Sequence, residues 1–283
     1  MEVNCEGCAG CCVDWRALAP DPVDHERRGP RDPLDDQYNL VPLTRTDARE
    51  LLAAGLADVT TPRLWHDDSG VTIDGTAVAA IDGKPVFFLG LRQPPKPVGP
   101  FGTEPSWLPT CIFLDPTTLQ CRVHDSDCYP TECAAYPGHN LDLGAETECE
   151  RVETAYGGER LLDADPPADL PPSRFGPGAV GHRLFVHPDP TRLEGVVDRL
   201  RREALTQTDR AEFVAAAVAG APGTTTTEMT RFREARERAV GADSWAGRAA
   251  AAWTEHAAER DPDPSMVATV EDRNGAPGTP GWD

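Results

Sequence analysis

A chain of 283 residues with 47 acidic against 27 basic side chains carries a formal net charge of −20, and 39% of it is hydrophobic. That length holds one large domain or two small ones, with enough apolar residues for a buried core. The acidic excess excludes the basic footprint of a nucleic-acid binder and is repelled by an anionic membrane surface, so neither partner is expected.

The basic residues are nearly all arginine; Lys84 and Lys96 are the two lysines. An acidic, lysine-poor surface reads as a halophilic adaptation that keeps a protein dissolved at high salt. No apolar run reaches the length of a membrane-spanning helix. Met1–Cys12 lacks the basic-then-apolar order of a secretory signal, so the expected compartment is the cytoplasm. Nine cysteines in that compartment point to metal or redox chemistry rather than a disulfide framework, and an odd number cannot all pair.

The first element is Cys5-Glu6-Gly7-Cys8-Ala9-Gly10-Cys11-Cys12. Thiolates are soft ligands for zinc, copper(I) or iron–sulfur clusters. A two-residue spacing lets a tight turn aim two sulfurs at one site, with Gly7 and Gly10 supplying backbone freedom. Residues 13–43, rich in Pro, Asp and Arg, predict an ordered but irregular loop, or a short helix followed by a loop. Thr44–Ala57 predicts a helix capped by Thr44 or Thr46, with Ala48, Leu51, Leu52 and Leu56 as its apolar stripe. From Val71 to Leu91 the pattern turns to strands, and Asp82-Gly83 predicts a hairpin between Ala77–Ile81 and Val86–Leu89. Gln93–Pro105 reads as a connection without regular structure; Pro94–Pro97 is stiff, and its Lys96 is free to approach an anion.

A second cysteine group follows at Cys111, Cys121, Cys128, Cys133 and Cys149. Val152–Tyr156 and Glu159–Leu162 predict a short hairpin around Gly157-Gly158. Asp163–Gly178 reads as a loop and Arg183–His187 as a strand. Thr191–Ala204, Asp209–Ala219, Glu228–Val240 and Ser244–Glu259 predict helices. Asp261–Asp283 has little to bury and reads as a disordered tail. The fold expected is α+β: an irregular cysteine-rich metal-binding domain with short β-hairpins over residues 1–165, a helical C-terminal region over 166–260, and a tail over 261–283.

The second group reads Cys111-Ile112-Phe113-Leu114, Cys121-Arg122-Val123-His124 and Tyr129-Pro130-Thr131-Glu132-Cys133-Ala134-Ala135-Tyr136-Pro137. With the opening Cys-x2-Cys-x2-Cys-Cys, these motifs resemble the YkgJ-type cysteine-cluster family, described as zinc- or iron-chelating. The resemblance spans residues 5–137 and covers Cys5, Cys8, Cys11, Cys12, Cys111, Cys121 and Cys133. Tyr129 and Ala134 stand where that family has arginine, and His124 where it commonly has tyrosine. Cys128 falls in an apparent two-residue insertion. The resemblance also touches flagellin lysine methylases, which carry a related cluster, and so implies methyl-transfer or radical chemistry as an alternative.

Thiolate sites commonly take four ligands. With Cys128 outside the family's pattern, the metal ligands expected are Cys5, Cys8, Cys11, Cys12, Cys111, Cys121, Cys133 and Cys149. Grouping by sequence gives Cys5, Cys8, Cys11 and Cys12 as one set and Cys111, Cys121, Cys133 and Cys149 as the other. Adjacent side chains point apart, however. One of Cys11 or Cys12 is therefore expected to face the second group. The ferredoxin-like spacing favours iron–sulfur over zinc, since the second group lacks a clean Cys-x2-Cys pair. His124 and His139 are expected as supporting donors or surface residues, and Trp107, Phe113, Tyr129 and Tyr136 as shields against water. No Gly-x-Ser-x-Gly, Walker loop or His-Glu-x-x-His is present. The expected function is metal binding, structural or for carriage; the alternative is a redox or methyl-transfer enzyme using an iron–sulfur cluster.

Overall fold

The computed structural model describes residues 1–21, 31–174 and 176–280. Part of the loop expected at 13–43 therefore lies outside the described residues. The elements begin with β1 (Glu2–Val3), α1 (Arg45–Ala53), β2 (Thr60–Arg63), β3 (His66–Ile73), β4 (Thr76–Val78), β5 (Ala80–Ile81) and β6 (Lys84–Leu91). They continue with β7 (Pro95–Val98), β8 (Ser106–Pro109), α2 (Thr131–Ala135), α3 (Gly138–Asp142), α4 (Glu148–Tyr156), β9 (Leu161–Asp163) and β10 (Leu184–Val186). The C-terminal part holds α5 (Val196–Arg201), α6 (Gln207–Ala219), α7 (Met229–Val240), α8 (Trp245–Glu259) and α9 (Val267–Val270). The fold class is α+β, with antiparallel strand pairing throughout the described strands.

Strand β6 is the centre of the largest sheet, between β10 and β2. Its Lys-Pro-Val-Phe-Phe-Leu-Gly-Leu sequence buries Phe87, Leu89 and Leu91. The hairpin at Asp82-Gly83 forms with both residues at positive φ, the pairing of a two-residue primed turn, but it joins only β5 to β6. Thr76–Val78 pairs backwards onto β3 instead. Helix α6 lies on the sheet: Phe213 packs edge-on to Phe87 at 4.9 Å, and Phe87 meets Phe185 of β10 at 5.6 Å. The principal core runs from Leu43 to Ala250, so the two regions drawn at residue 165 share one interior.

Helix starts follow local chemistry. Thr44, Thr147 and Thr206 cap α1, α4 and α6, each in a capping box with Asp47, Glu150 and Asp209. Several expectations need correction. The helix expected over Thr191–Ala204 is a 3-10 turn at Pro190–Leu193 followed by the six-residue α5. The hairpin expected over Val152–Leu162 is helix α4 followed by β9, which pairs with β1. The Thr147–Glu150 box and the helical spacing of buried Cys149 and Val152 outweigh the β-branched content of the segment. The proline-rich connection contains a strand, β7, paired with β8.

Asp261–Pro280 is not a free tail. It forms short helical turns and buries Glu271 completely. There Glu271 accepts from Lys96 Nζ (2.7 Å), Trp253 Nε1 (2.9 Å) and Arg122 Nε (2.7 Å). Lys96 also donates to the carbonyls of Ile112 and Leu114, so it does not reach toward an anion from solution. Among the described residues, no helix is long and apolar enough to cross a membrane.

Gly247, in the first turn of α8, lies against buried Asp58, whose carboxylate accepts from the Ser244 amide and hydroxyl at 2.8 and 2.6 Å. A Cβ there would overlap that carboxylate. Gly→Ala inside a helix ordinarily stabilises by up to about 1 kcal/mol. Gly247→Ala is expected to invert the sign, costing about 1–3 kcal/mol through overpacking and loss of the cap. Thermal unfolding of the variant against the parent protein checks this.

Candidate metal centre

The N-terminal cysteine loop is two successive turns, closed by Cys8 N–H to Cys5 O and Cys12 N–H to Ala9 O. Gly7 supplies a positive φ of 65°. Gly10 is needed for space instead: a Cβ on it would sit 2.8 Å from Val152 Cγ2 of α4. Beyond the loop, Asp14 N–H donates to Pro109 O and Cys111 N–H to Cys12 O at 2.7 Å. These bonds hold the end of the first cysteine run against the start of the second, across about a hundred residues of chain.

Cys111 and Cys121 open two tight turns. Leu114 N–H closes the first on Cys111 O at 2.9 Å and His124 N–H the second on Cys121 O at 3.2 Å, and the nearby backbone amides offset part of the upward push of burial on both thiols. The Gly10 amide donates to Cys8 Sγ at 3.5 Å. Amide donors two and three residues after a cysteine stabilise its thiolate, which is what a metal-bound sulfur needs. Cys133 lies on α2 and Cys149 on α4. All eight cysteines face one cavity of about 690 Å³. Cys128 is not among its lining residues; it packs half-buried against the principal core.

The packing divides the eight. Cys8 is clustered with Val152 of α4, the helix that carries Cys149, and with Trp15 and Tyr38. Cys12 and Cys111 pack together on Ala9, Val13 and Leu114. Electrostatics divides them the same way. Burial pushes Cys5 and Cys149 up to about 12; Cys11 and Cys8 press further on Cys5, and Cys11, Cys8 and Cys5 on Cys149. Burial likewise pushes Cys121 up to about 12 and raises Cys133, with Cys111 and Cys11 as thiol neighbours of both. Cys12 is raised first by its hydrogen bond to Cys11 and then by burial, with Cys111 and Cys133 beside it. That bond, Sγ to Sγ at 3.8 Å, lowers Cys11. Cys12 thus faces the second group, and Cys149 sits with the first. Cys11 stands between them.

Each thiol in such an assembly opposes the ionisation of the next. Side-chain cations assist at two of them: Lys96 beside Cys111 and Arg160 beside Cys8. A bound metal cation would reverse the balance at all eight, because it displaces the protons and neutralises the thiolates. Among the described residues, no three or more Cys, His, Asp or Glu side chains are gathered as a site for a single metal ion.

The cavity wall contains residues that sequence reasoning did not single out. Glu148, 7% exposed, accepts from Trp15 Nε1 (3.1 Å), Tyr38 Oη (3.0 and 3.1 Å) and Arg151 Nη1 (3.0 Å). Its own amide donates to Tyr136 Oη. Trp15 meets Tyr38, Phe101 and Tyr156 edge-on, a dry aromatic backing for the first group. A tyrosine and a tryptophan isolated in polar loop sequence give no periodic signal, and only the adjacency of Glu148 to Cys149 hinted at it. Phe113, Tyr129 and Tyr136 do line the cavity. Trp107 does not: it packs on Trp253 and donates to Arg260 O. Both ring nitrogens of His139 are engaged, with Glu132 and Pro171 O, and half-exposed His124 pairs with Asp125.

A family model described as a family of unknown function, DUF7531, matches residues 1–283. The chain belongs to DUF7531. The match runs through both cysteine groups and the C-terminal helices alike, so the DUF7531 unit includes the segment that buries Glu271. No curated protein and no solved structure matches the chain.

Proposed function

We propose that this DUF7531 protein binds metal through eight cysteines as two four-thiolate units, Cys5, Cys8, Cys11 and Cys149 in one and Cys12, Cys111, Cys121 and Cys133 in the other. The observation that carries the reading is the convergence of eight cysteines, from five separate stretches of chain, on one cavity while Cys128 stays out of it. Iron–sulfur is the better occupant. Zinc held by thiolates at about 2.3 Å draws all four sulfurs close about one point. Thiols arrayed around a cavity of about 690 Å³, with the Gly10 amide donated to Cys8 Sγ, suit a multi-atom cluster.

An iron–sulfur cluster supplies a one-electron couple, which the aromatic backing and the amide donors would tune. The chain's own residues hold the thiolates, exclude water and fix the turns. Two complete thiolate quartets leave no ligand position for a substrate, which supports a structural, storage or electron-transfer role over catalysis at the metal.

Anaerobic purification with assay of iron, zinc and acid-labile sulfide tests the reading. The expected protein is brown, with iron and sulfide in equal amounts. Colourless protein with stoichiometric zinc and no sulfide would replace iron–sulfur by zinc. Protein that takes up neither metal after anaerobic reconstitution would remove the proposal.

A further inference from the structure

Arginines without acidic partners are unexpected in a chain with 47 acidic residues, and three of them meet at one place. Arg45 and Arg49 lie one turn apart on the same face of α1. Arg49 donates through Nε and Nη2 to Val218 O, at the last turn of α6. The α7 helix starts there, since Glu228 N–H donates to Ala219 O. At the other end of the pair, Arg238 of α7 donates to Leu52 O of α1 at 3.1 Å. The two helices therefore run side by side in the same direction. Seven residues, two turns, back from that contact stand Arg45 on α1 and Arg231 on α7.

Among the described residues, none of the three guanidinium groups makes a salt bridge, and Arg45 Nε is buried without a hydrogen-bond partner. Burial and then the charge of Arg231 lower Arg45; burial, Arg45 and Arg231 lower Arg49. Glu228, which feels Arg231, has its carboxylate occupied by the amides of Thr230 and Arg231 at 2.8 Å each. Asp47 is taken up by the α1 cap and by Thr131. The cluster flanks the metal cavity: Arg45 N–H donates to His182 O at 2.7 Å, and the next residue, Arg183, lines the cavity.

We propose that Arg45, Arg49 and Arg231 form a binding site for a multiply charged oxyanion, a phosphate group carried by a small molecule or free in solution. Guanidinium forks match phosphate oxygens two at a time, and three neighbouring guanidiniums, Arg49 anchored on Val218 O and the other two without acidic partners, neutralise a dianion in a way one cannot.

Thermal unfolding and calorimetric titration of the full chain, purified with its metal, test this with inorganic phosphate, pyrophosphate and ADP at constant ionic strength set by potassium chloride. All three ligands are expected to raise the unfolding midpoint where chloride does not. Arg45→Gln and Arg231→Gln are each expected to weaken binding by about tenfold or more, while Arg201→Gln, exposed at the end of α5, leaves it unchanged. Tighter binding of ADP than of pyrophosphate assigns the site to a nucleotide; equal binding assigns it to the bare phosphate group. Without ligand, Arg231→Gln should raise the midpoint, because it relieves repulsion inside the cluster. Absence of binding by all three ligands overturns the proposal. So does unchanged binding in Arg45→Gln and Arg231→Gln together with a lowered ligand-free midpoint, the signature of a purely structural role.

Discussion

Serine at Cys149 is expected to remove about half of the bound iron, and serine at Cys12 the other half. The distinction lies in the pairs. Cys8→Ser combined with Cys149→Ser should lose no more than either alone, because both sulfurs serve one unit. Cys8→Ser combined with Cys12→Ser should lose nearly all of it. A grouping by sequence order demands the reverse: Cys8 and Cys12 in one unit, Cys149 in the other. Iron and sulfide per chain, measured on the six proteins after anaerobic reconstitution, separate the two arrangements. The packing predicts the first, since Cys8 shares a cluster with Val152 of α4 and Cys12 shares one with Cys111. Cys128→Ser, by contrast, should leave the metal untouched, because that thiol packs on the principal core.

The cysteines that line the cavity are legible in sequence because cysteine spacing is a local signal. Their partition is not. It depends on where α4 docks, and α4 itself is obscured by Val152, Thr154 and Tyr156, whose content resembles a strand. What overrides that content is the box formed by Thr147 and Glu150, together with burial of Cys149 and Val152 against the first loop. The steric argument about Cys11 and Cys12 does not carry through: their sulfurs lie 3.8 Å apart on one cavity, with Cys111 and Cys133 beside Cys12. The four C-terminal helices are read well where capping residues mark them, as at Thr206 and Ser244. The β7 strand and the C-terminal turns are missed for a shared reason. Proline-rich and aspartate-rich stretches are read as unstructured, yet here they are fixed by single charged side chains, Lys96 and Glu271, whose partners lie more than a hundred residues away.

Those two residues give the largest expected effect on stability. Lys96 is 1% exposed and Glu271 fully buried, with Arg122 as the second cation and Asp115 at 3.0 Å from it. Removing one member of a buried charge set leaves the others uncompensated, which costs about 3–5 kcal/mol. Glu271→Ala is therefore expected to lower the unfolding free energy by about that amount in urea titration, whereas Glu259→Ala at an exposed helix end changes it by less than about 0.5 kcal/mol. The partner variant Lys96→Met should cost less than Glu271→Ala, because Glu271 keeps Arg122 and Trp253 as donors. The double variant should cost less than the sum of the two, since neither charge then lacks its partner. The consequence for the metal follows from the carbonyls that Lys96 grips. Ile112 and Leu114 flank the turn at Cys111, so loosening Lys96 should loosen the proposed second quartet, while the first rests on the N-terminal loop and on Cys149 of α4. At a urea concentration where Glu271→Ala is still folded, loss of metal from the second unit ahead of the first is the result that ties the C-terminal segment to the site; simultaneous loss from both would break that link.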